Sequence, residues 1–179
     1  MIILLNGTSS SGKTSIAQKL LEKLTEPYFF LGADRFLESS MPLKINMDKP
    51  EDLKIIDRSL SGFNQALGCY AKAIDFMIID HVLKGVQQTA EIAEALRPYD
   101  IYFVGVTAPL KIIEAREKLR SDRQPGTARA QYEEVSALQY DILIDTSIYT
   151  IDQAADKIIA NLKPGMALYE PAINTRILK

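Results

Sequence analysis

The chain has 179 residues, 47% of them hydrophobic and 25% charged, and a formal net charge of -2. That suffices for one domain with a sizeable core. The faint acidity argues against nucleic acid as the main partner, because gripping a phosphate backbone takes a basic surface. One cysteine, Cys69, and one histidine, His81, exclude an intrachain disulfide and a Cys/His zinc site. No apolar run approaches about 18 residues, so no membrane partner is expected. Ile2–Leu5 is too short for a signal peptide and follows no basic residue. A fold that starts at residue 2 and keeps a free cysteine points to the cytoplasm.

Residues 2–6, IILLN, read as a buried strand ended by Gly7. KTSIAQKLLEKL (13–24) sets Ile16, Leu20, Leu21 and Leu24 on one helical face, and Thr25-Glu26-Pro27 stops it. Tyr28–Leu31 is a second strand, closed by Gly32. A short helix around Asp34–Ser39 and a loop over Met41–Asp52 follow. The pattern then predicts a long helix from Ile55 to Ile74, with Gly62 and Gly68 as weak points or close-packing positions. FMIID (76–80) is a third buried strand, 84–97 a helix ended by Pro98, and DIYFVGV (100–106) a fourth strand. Pro109 opens a helix running to about Arg120. After the loop 121–128 come a helix over Ala128–Leu138, a fifth strand at 141–146 and a last helix over Ile151–Leu162. Strands and helices alternate throughout, which implies an α/β fold: a parallel sheet covered on both faces. No internal repeat or domain boundary is visible. Residues 1–179 read as one domain, with an irregular tail at 164–179 that the pattern does not place.

Between the first strand and first helix, Gly7, Thr8, Ser9, Ser10, Ser11, Gly12, Lys13 and Thr14 fit G-x-x-x-x-G-K-[ST] in full, with Ser15 completing the nucleotide-binding stretch. Each part has a physical task. The glycines let backbone N–H groups point inward. The helix N-terminus adds partial positive charge. Lys13 reaches the β- and γ-phosphates, and the Thr14 hydroxyl ligates magnesium.

The second strand ends in Leu31-Gly32-Ala33-Asp34-Arg35. Ligands of parallel sheets bind outside the carboxyl ends of strands. Asp34, expected beside the first strand, can accept or orient the proton of an acceptor hydroxyl. It is also a good helix N-cap before Phe36-Leu37-Glu38. The third strand ends in Asp80, the usual place for a carboxylate that holds magnesium through water. His81 follows and is read as structural.

Residues 114–123, EAREKLRSDR, put three arginines in eight residues where a helix runs into a Pro125-Gly126 loop. A mobile arginine can stabilise the charge that builds on a transferring phosphoryl group. Arg120 and Arg123 read as lid residues. Arg116 reads as part of a solvated helix face, with Glu114 and Glu117 available to pair with Lys118 or Arg120. Tyr99, Tyr102 and Phe103 read as core. One of Tyr28, Phe29 and Phe30 is a candidate for the acceptor pocket.

The blocks IILLNGTSSSGKTS, LGADRFLESSMPLK, IIDHV, VGVTAP, EAREKLRSDRQPGTA and YDILIDTS, in order over residues 2–147, resemble chloramphenicol phosphotransferase and its relatives. The resemblance implies a P-loop NTPase three-layer sandwich with a five-stranded sheet and an arginine-bearing lid at about 118–130. It implies transfer of the γ-phosphate of ATP, with Mg2+, to a hydroxyl of a small molecule, in the manner of a chloramphenicol 3-O-phosphotransferase and of antibiotic resistance. By the same resemblance Asp34 is the catalytic base, Lys13 and Thr14 serve phosphate and magnesium, Arg120 and Arg123 cover the nucleotide, and the segment through Met41 and Pro42 lines the acceptor pocket. The chain departs from that pattern on the acceptor side: Val135 stands near a usual histidine, His81 replaces a usual second carboxylate, and residues 44–60 have no obvious counterpart. Other acceptors, in a nucleoside, shikimate-like, sugar or nucleotide-sugar kinase, fit the same machinery. So does a nucleotide-binding module without transfer chemistry, although the N-K-x-D element of a GTP switch is absent.

Overall fold

The structure, a computed structural model, describes residues 1–42, 45–46, 49–121 and 125–169. Among these residues, β1 (Ile2–Asn6), β2 (Phe29–Gly32), β3 (Met77–His81), β4 (Ile101–Thr107) and β5 (Ile142–Asp145) form one parallel sheet in the order β2-β3-β1-β4-β5. The helices are α1 (Lys13–Lys23), α2 (Ala33–Ser40), α3 (Pro50–Ala71), α4 (Gly85–Ala95), α5 (Leu110–Lys118), α6 (Thr127–Ser136) and α7 (Ile151–Ala160).

The continuous apolar strands have a simple cause: both faces are covered. On β1, Ile2 and Leu4 join Phe63 and Leu67 of α3 and Ile92 of α4. Ile3 and Leu5 point the other way, to Ile16 and Leu20 of α1 and Ile158 of α7. All four β1 side chains are essentially fully buried. Each contributes roughly 1.5–3 kcal/mol relative to exposure. Tyr102 and Phe103 are core, as expected.

The strand order corrects one expectation. β2 is not beside β1, because β3 lies between them. Gly32 of β2 pairs with Asp80 of β3, and Leu5 of β1 pairs with the same Asp80 on the other side. Asp34 therefore approaches the phosphate loop across the end of β3.

The helix α3 starts five residues before its expected Ile55 start. Pro50 occupies the first turn, where its missing N–H costs nothing, and Glu51 and Asp52 favour the positive end of the helix dipole. At Gly68 a Cβ would lie 2.6 Å from the Ala95 carbonyl oxygen, so this glycine lets α3 meet α4; Gly62 faces open space.

Part of the tail has a definite role. The Gly165 N–H donates to the Ile101 carbonyl at 2.7 Å, closing the amino end of β4. The Asp141 carboxylate accepts from Met166 N and Ala167 N on one oxygen (2.9 and 3.0 Å) and from Phe103 N on the other (2.8 Å). Ala167 and Leu168 are buried in the core that they close. The Tyr169 hydroxyl reaches the Leu96 and Tyr99 carbonyls at 3.0 and 3.1 Å, and burial pushes this phenol up to about 12.

Asp141→Ala strips the partner from three backbone N–H groups. It should lower unfolding stability by about 3 kcal/mol, read from urea denaturation. A loss well below about 1 kcal/mol would mean that water replaces the carboxylate at no cost.

Candidate active site at the carboxyl ends of the strands

Asn6 ends β1 in a buried network. Its side-chain oxygen accepts from Leu83 N at 2.7 Å, and its amide donates to Leu83 O at 3.3 Å and to the Tyr140 hydroxyl at 3.0 Å. The phosphate loop then passes very close to β4. A Cβ at Gly7 would stand 2.2 Å from the Val106 carbonyl oxygen and 2.8 Å from Ser11 Oγ, so no other residue fits. Ser10 and Gly12 take φ of 62° and 101°, left-handed values that curl the backbone inward before α1 begins at Lys13. Two long-range contacts hold the curl: Ser9 N donates to Gln131 Oε1 at 2.8 Å, and the Thr146 hydroxyl donates to the Ser11 carbonyl at 2.8 Å.

Four buried hydroxyls of this loop, on Thr8, Ser9, Ser10 and Ser11, have no hydrogen-bond partner among the described residues. Burial without a partner is costly, so such groups in a helix-terminal cradle fit a polyphosphate. Lys13 is 7% exposed. Its ammonium donates to the Thr8 carbonyl at 2.9 Å and stands 4.0 Å from Asp80 Oδ1. The Thr14 hydroxyl donates to Asp80 Oδ2 at 2.6 Å. A hydroxyl and a carboxylate in contact beside a phosphate cradle are the oxygen donors that a magnesium ion prefers.

Asp34 does not cap α2, since Gly32 is the cap residue; it lies in the first turn, where a carboxylate complements the helix dipole. A cavity of about 420 Å³ brings the separate motifs together. Its wall carries Ser9, Ser10, Gly12, Lys13, Thr14 and Ser15 of the loop, with Asp34, Arg116, Arg120 and Ile151. Arg123 lies outside the described residues.

Arg116 corrects the sequence reading. It does not sit on a solvated face. Its guanidinium donates to Thr146 Oγ1 at 2.7 Å and to the Thr146 carbonyl at 2.9 Å, and it lines the same cavity as Lys13. The expected Glu pairings also differ. Glu114 pairs with Arg129 at 2.7 Å. Glu117 is 4% exposed and accepts from the backbone N–H groups of Gly126 and Ala128, both at 2.8 Å, fixing the start of α6 against α5.

His81 is buried, and Nε2 lies 2.9 Å from Asn64 Oδ1. Asn64 donates in turn to Glu91 at 3.3 Å. Burial pushes the His81 imidazole down to about 4; the Lys13 ammonium acts in the same direction, the Val82 backbone and Asp34 in the other. The ring is neutral at pH 7, with Nε2 carrying the proton that Asn64 accepts. Val135 lines a mostly apolar cavity of about 280 Å³ with Thr8, Tyr132, Leu138 and Leu143. Phe30 lines a separate space between α2 and α3.

A family model described as chloramphenicol phosphotransferase-like protein matches residues 1–163. The chain belongs to the chloramphenicol phosphotransferase-like family. It is a small-molecule kinase of the P-loop kind, and that chemistry implies ATP as donor. Solved structures with the same fold include a sugar kinase from Janibacter sp. HTCC2649, at 20% identity and TM-score 0.68, covering 93% of this chain and 96% of that one. The tunicamycin resistance protein of Deinococcus radiodurans is 21% identical with TM-score 0.61, over 89% of this chain and 93% of that one. The APS kinase of Mycobacterium tuberculosis, in complex with AMPPNP and APS, is 19% identical with TM-score 0.64, over 89% and 95%. A comparison with curated proteins found no match.

Within this kinase, sequence reasoning undervalues Arg116, which lines the cavity, Thr146, which anchors it, and Glu117, which ties α5 to α6. Arg116 and Arg120, four residues apart, were the available signal; what holds Arg116 inward is Thr146, just past β5 and far along the chain. No helix of the described residues is long and apolar enough to cross a membrane.

Gly7→Ala forces its new methyl into the Val106 carbonyl. Calorimetry should show ATP affinity falling roughly tenfold or more, since the loop must shift to relieve the clash. Wild-type affinity in that variant would contradict the close approach.

Proposed function

We propose that this kinase moves the γ-phosphoryl group of ATP to a hydroxyl of a small acceptor, within one domain whose lid spans about 118–130 and in the cytoplasm, where ATP is supplied. The observation that carries the reading is the shared cavity: Asp34, Lys13, Thr14, Arg116 and Arg120 line one space.

In this reading Asp34 takes the proton of the acceptor hydroxyl as its oxygen bonds to phosphorus, and the bond from phosphorus to the β-phosphate oxygen breaks to release ADP. The backbone of Gly7 to Ser15 cradles the phosphates, and Lys13 moves from the Thr8 carbonyl to them. Thr14 and Asp80 would hold magnesium, Asp80 through water, and that ion would neutralise charge on the phosphates. Arg120, with Arg123, covers the transferring group. Arg116 is added to this set: anchored on Thr146, it presents a fixed cation to the nucleotide.

Chloramphenicol 3-O-phosphorylation, and with it antibiotic resistance, is the form of this reaction that the family name suggests. The structural neighbours described above include a sugar kinase, which supports a wider range of hydroxylated acceptors.

Asp34→Asn should cut kcat by about 10²–10⁴ with an unchanged ATP dissociation constant. Normal turnover in that variant would remove Asp34 from the base role. Arg116→Ala should raise KM for ATP roughly tenfold with a smaller effect on kcat; an unchanged KM would reduce Arg116 to a structural tie.

A further inference from the structure

We propose that the acceptor of this kinase is an uncharged, polyhydroxylated molecule, a neutral sugar or polyol, bound in the cleft between α3, α4 and α6. The proposal rests on the kinase reading above. The cleft has a volume of about 400 Å³, enough for a molecule of monosaccharide size.

Its link to the phosphate end is a chain of contacts. Asp80 accepts from Thr14 of the phosphate loop. The next residue, His81, donates to Asn64. Asn64, 1% exposed, lines the cleft and donates to Glu91, which lines it too. Asn64 thus joins the cleft, through the buried His81 ring, to the end of β3, where the charges of Asp34 and Lys13 of the phosphate cavity act on that ring.

The chemistry of the walls selects the class. Of the ten lining residues only Leu60 is apolar, and none is aromatic. Arg58, Lys84 and the amides of Gln87 and Gln88 offer donors; Asp57, Glu91 and Glu134 offer acceptors. A sugar hydroxyl donates one hydrogen bond and accepts others, so a wall carrying both kinds matches a run of hydroxyls. Two cations against three carboxylates leave no positive excess for a carboxylate, sulfate or second phosphate. A flat aromatic acceptor finds no stacking face here. Such a molecule would suit the space of about 250 Å³ between α2 and α3, with Phe30, Phe36, Phe63 and Tyr70 on its walls.

The test measures ADP release from ATP and magnesium by the full chain. Glucose, mannitol and myo-inositol serve as neutral polyols, gluconate as an anionic one, and chloramphenicol and 2-phenylethanol as aromatic alcohols. Release stimulated by a neutral polyol and not by the others is expected. Asn64 is buried, so the half-exposed Glu91 and Gln88 are the residues to vary. Glu91→Gln and Gln88→Leu should each raise KM for that polyol roughly tenfold or more while KM for ATP stays within about threefold. Preference for gluconate or an aromatic alcohol overturns the acceptor class and leaves the kinase reading standing. Unchanged polyol KM in both variants overturns the cleft. ATP binding with no stimulated release by any acceptor overturns this inference and the transferase reading together.

Discussion

The phosphate loop keeps its curve because β4 and the residue just past β5 hold it from outside. The Val106 carbonyl of β4 leaves no room for a side chain at Gly7. The Thr146 hydroxyl, just past β5, fixes the Ser11 carbonyl. A loop of six small or polar residues, 7–12, has little hydrophobic reason to adopt one shape, and ordering each residue costs roughly 1–2 kcal/mol of backbone entropy. The sheet meets that cost. Preorganised amides then face an incoming anion without having to reorganise, which is where electrostatic catalysis gains most.

The same end of the sheet positions Arg116. Thr146 serves the Ser11 carbonyl and the Arg116 guanidinium at once, so the loop and α5 share one anchor. Glu117, next along α5, binds the first turn of α6. Two consecutive residues thus divide the labour: one lines the cavity with Lys13 and the other fixes α6 against α5. At the carboxyl end of β1, Asn6, Leu83 and Tyr140 join β1, the turn after β3 and the segment after α6. Burial pushes the Tyr140 phenol up to about 12, so this join stays uncharged through the physiological range.

Much of this was legible in sequence, for local reasons. The strand pattern, the helix periods and the phosphate-loop motif are written within windows of a few residues, and all five strands and the cradle lie where those windows put them. Long-range partners were not. Nothing near Asp34 says that β3 inserts between β2 and β1. Nothing near Arg116 announces Thr146, thirty residues on, and without that partner a Glu-rich helix face reads as solvated. Asp141 looked like the first residue of a strand because its backbone continues one; its function as an acceptor for three N–H groups depends on Phe103 and on a tail that carries no periodic pattern. Periodicity reports which face is buried and is silent on what a polar side chain will meet.

The match to the family model ends at residue 163, yet the fold does not. Gly165 seals the amino end of β4, and Ala167 and Leu168 plug the sheet's underside. The unit of kinship and the unit of folding therefore have different lengths in this protein. A chain trimmed to the shared span would retain every residue of the phosphate cradle while baring an oily base and idling half of the Asp141 carboxylate, so a loss of activity after such trimming would speak of solubility and not of chemistry.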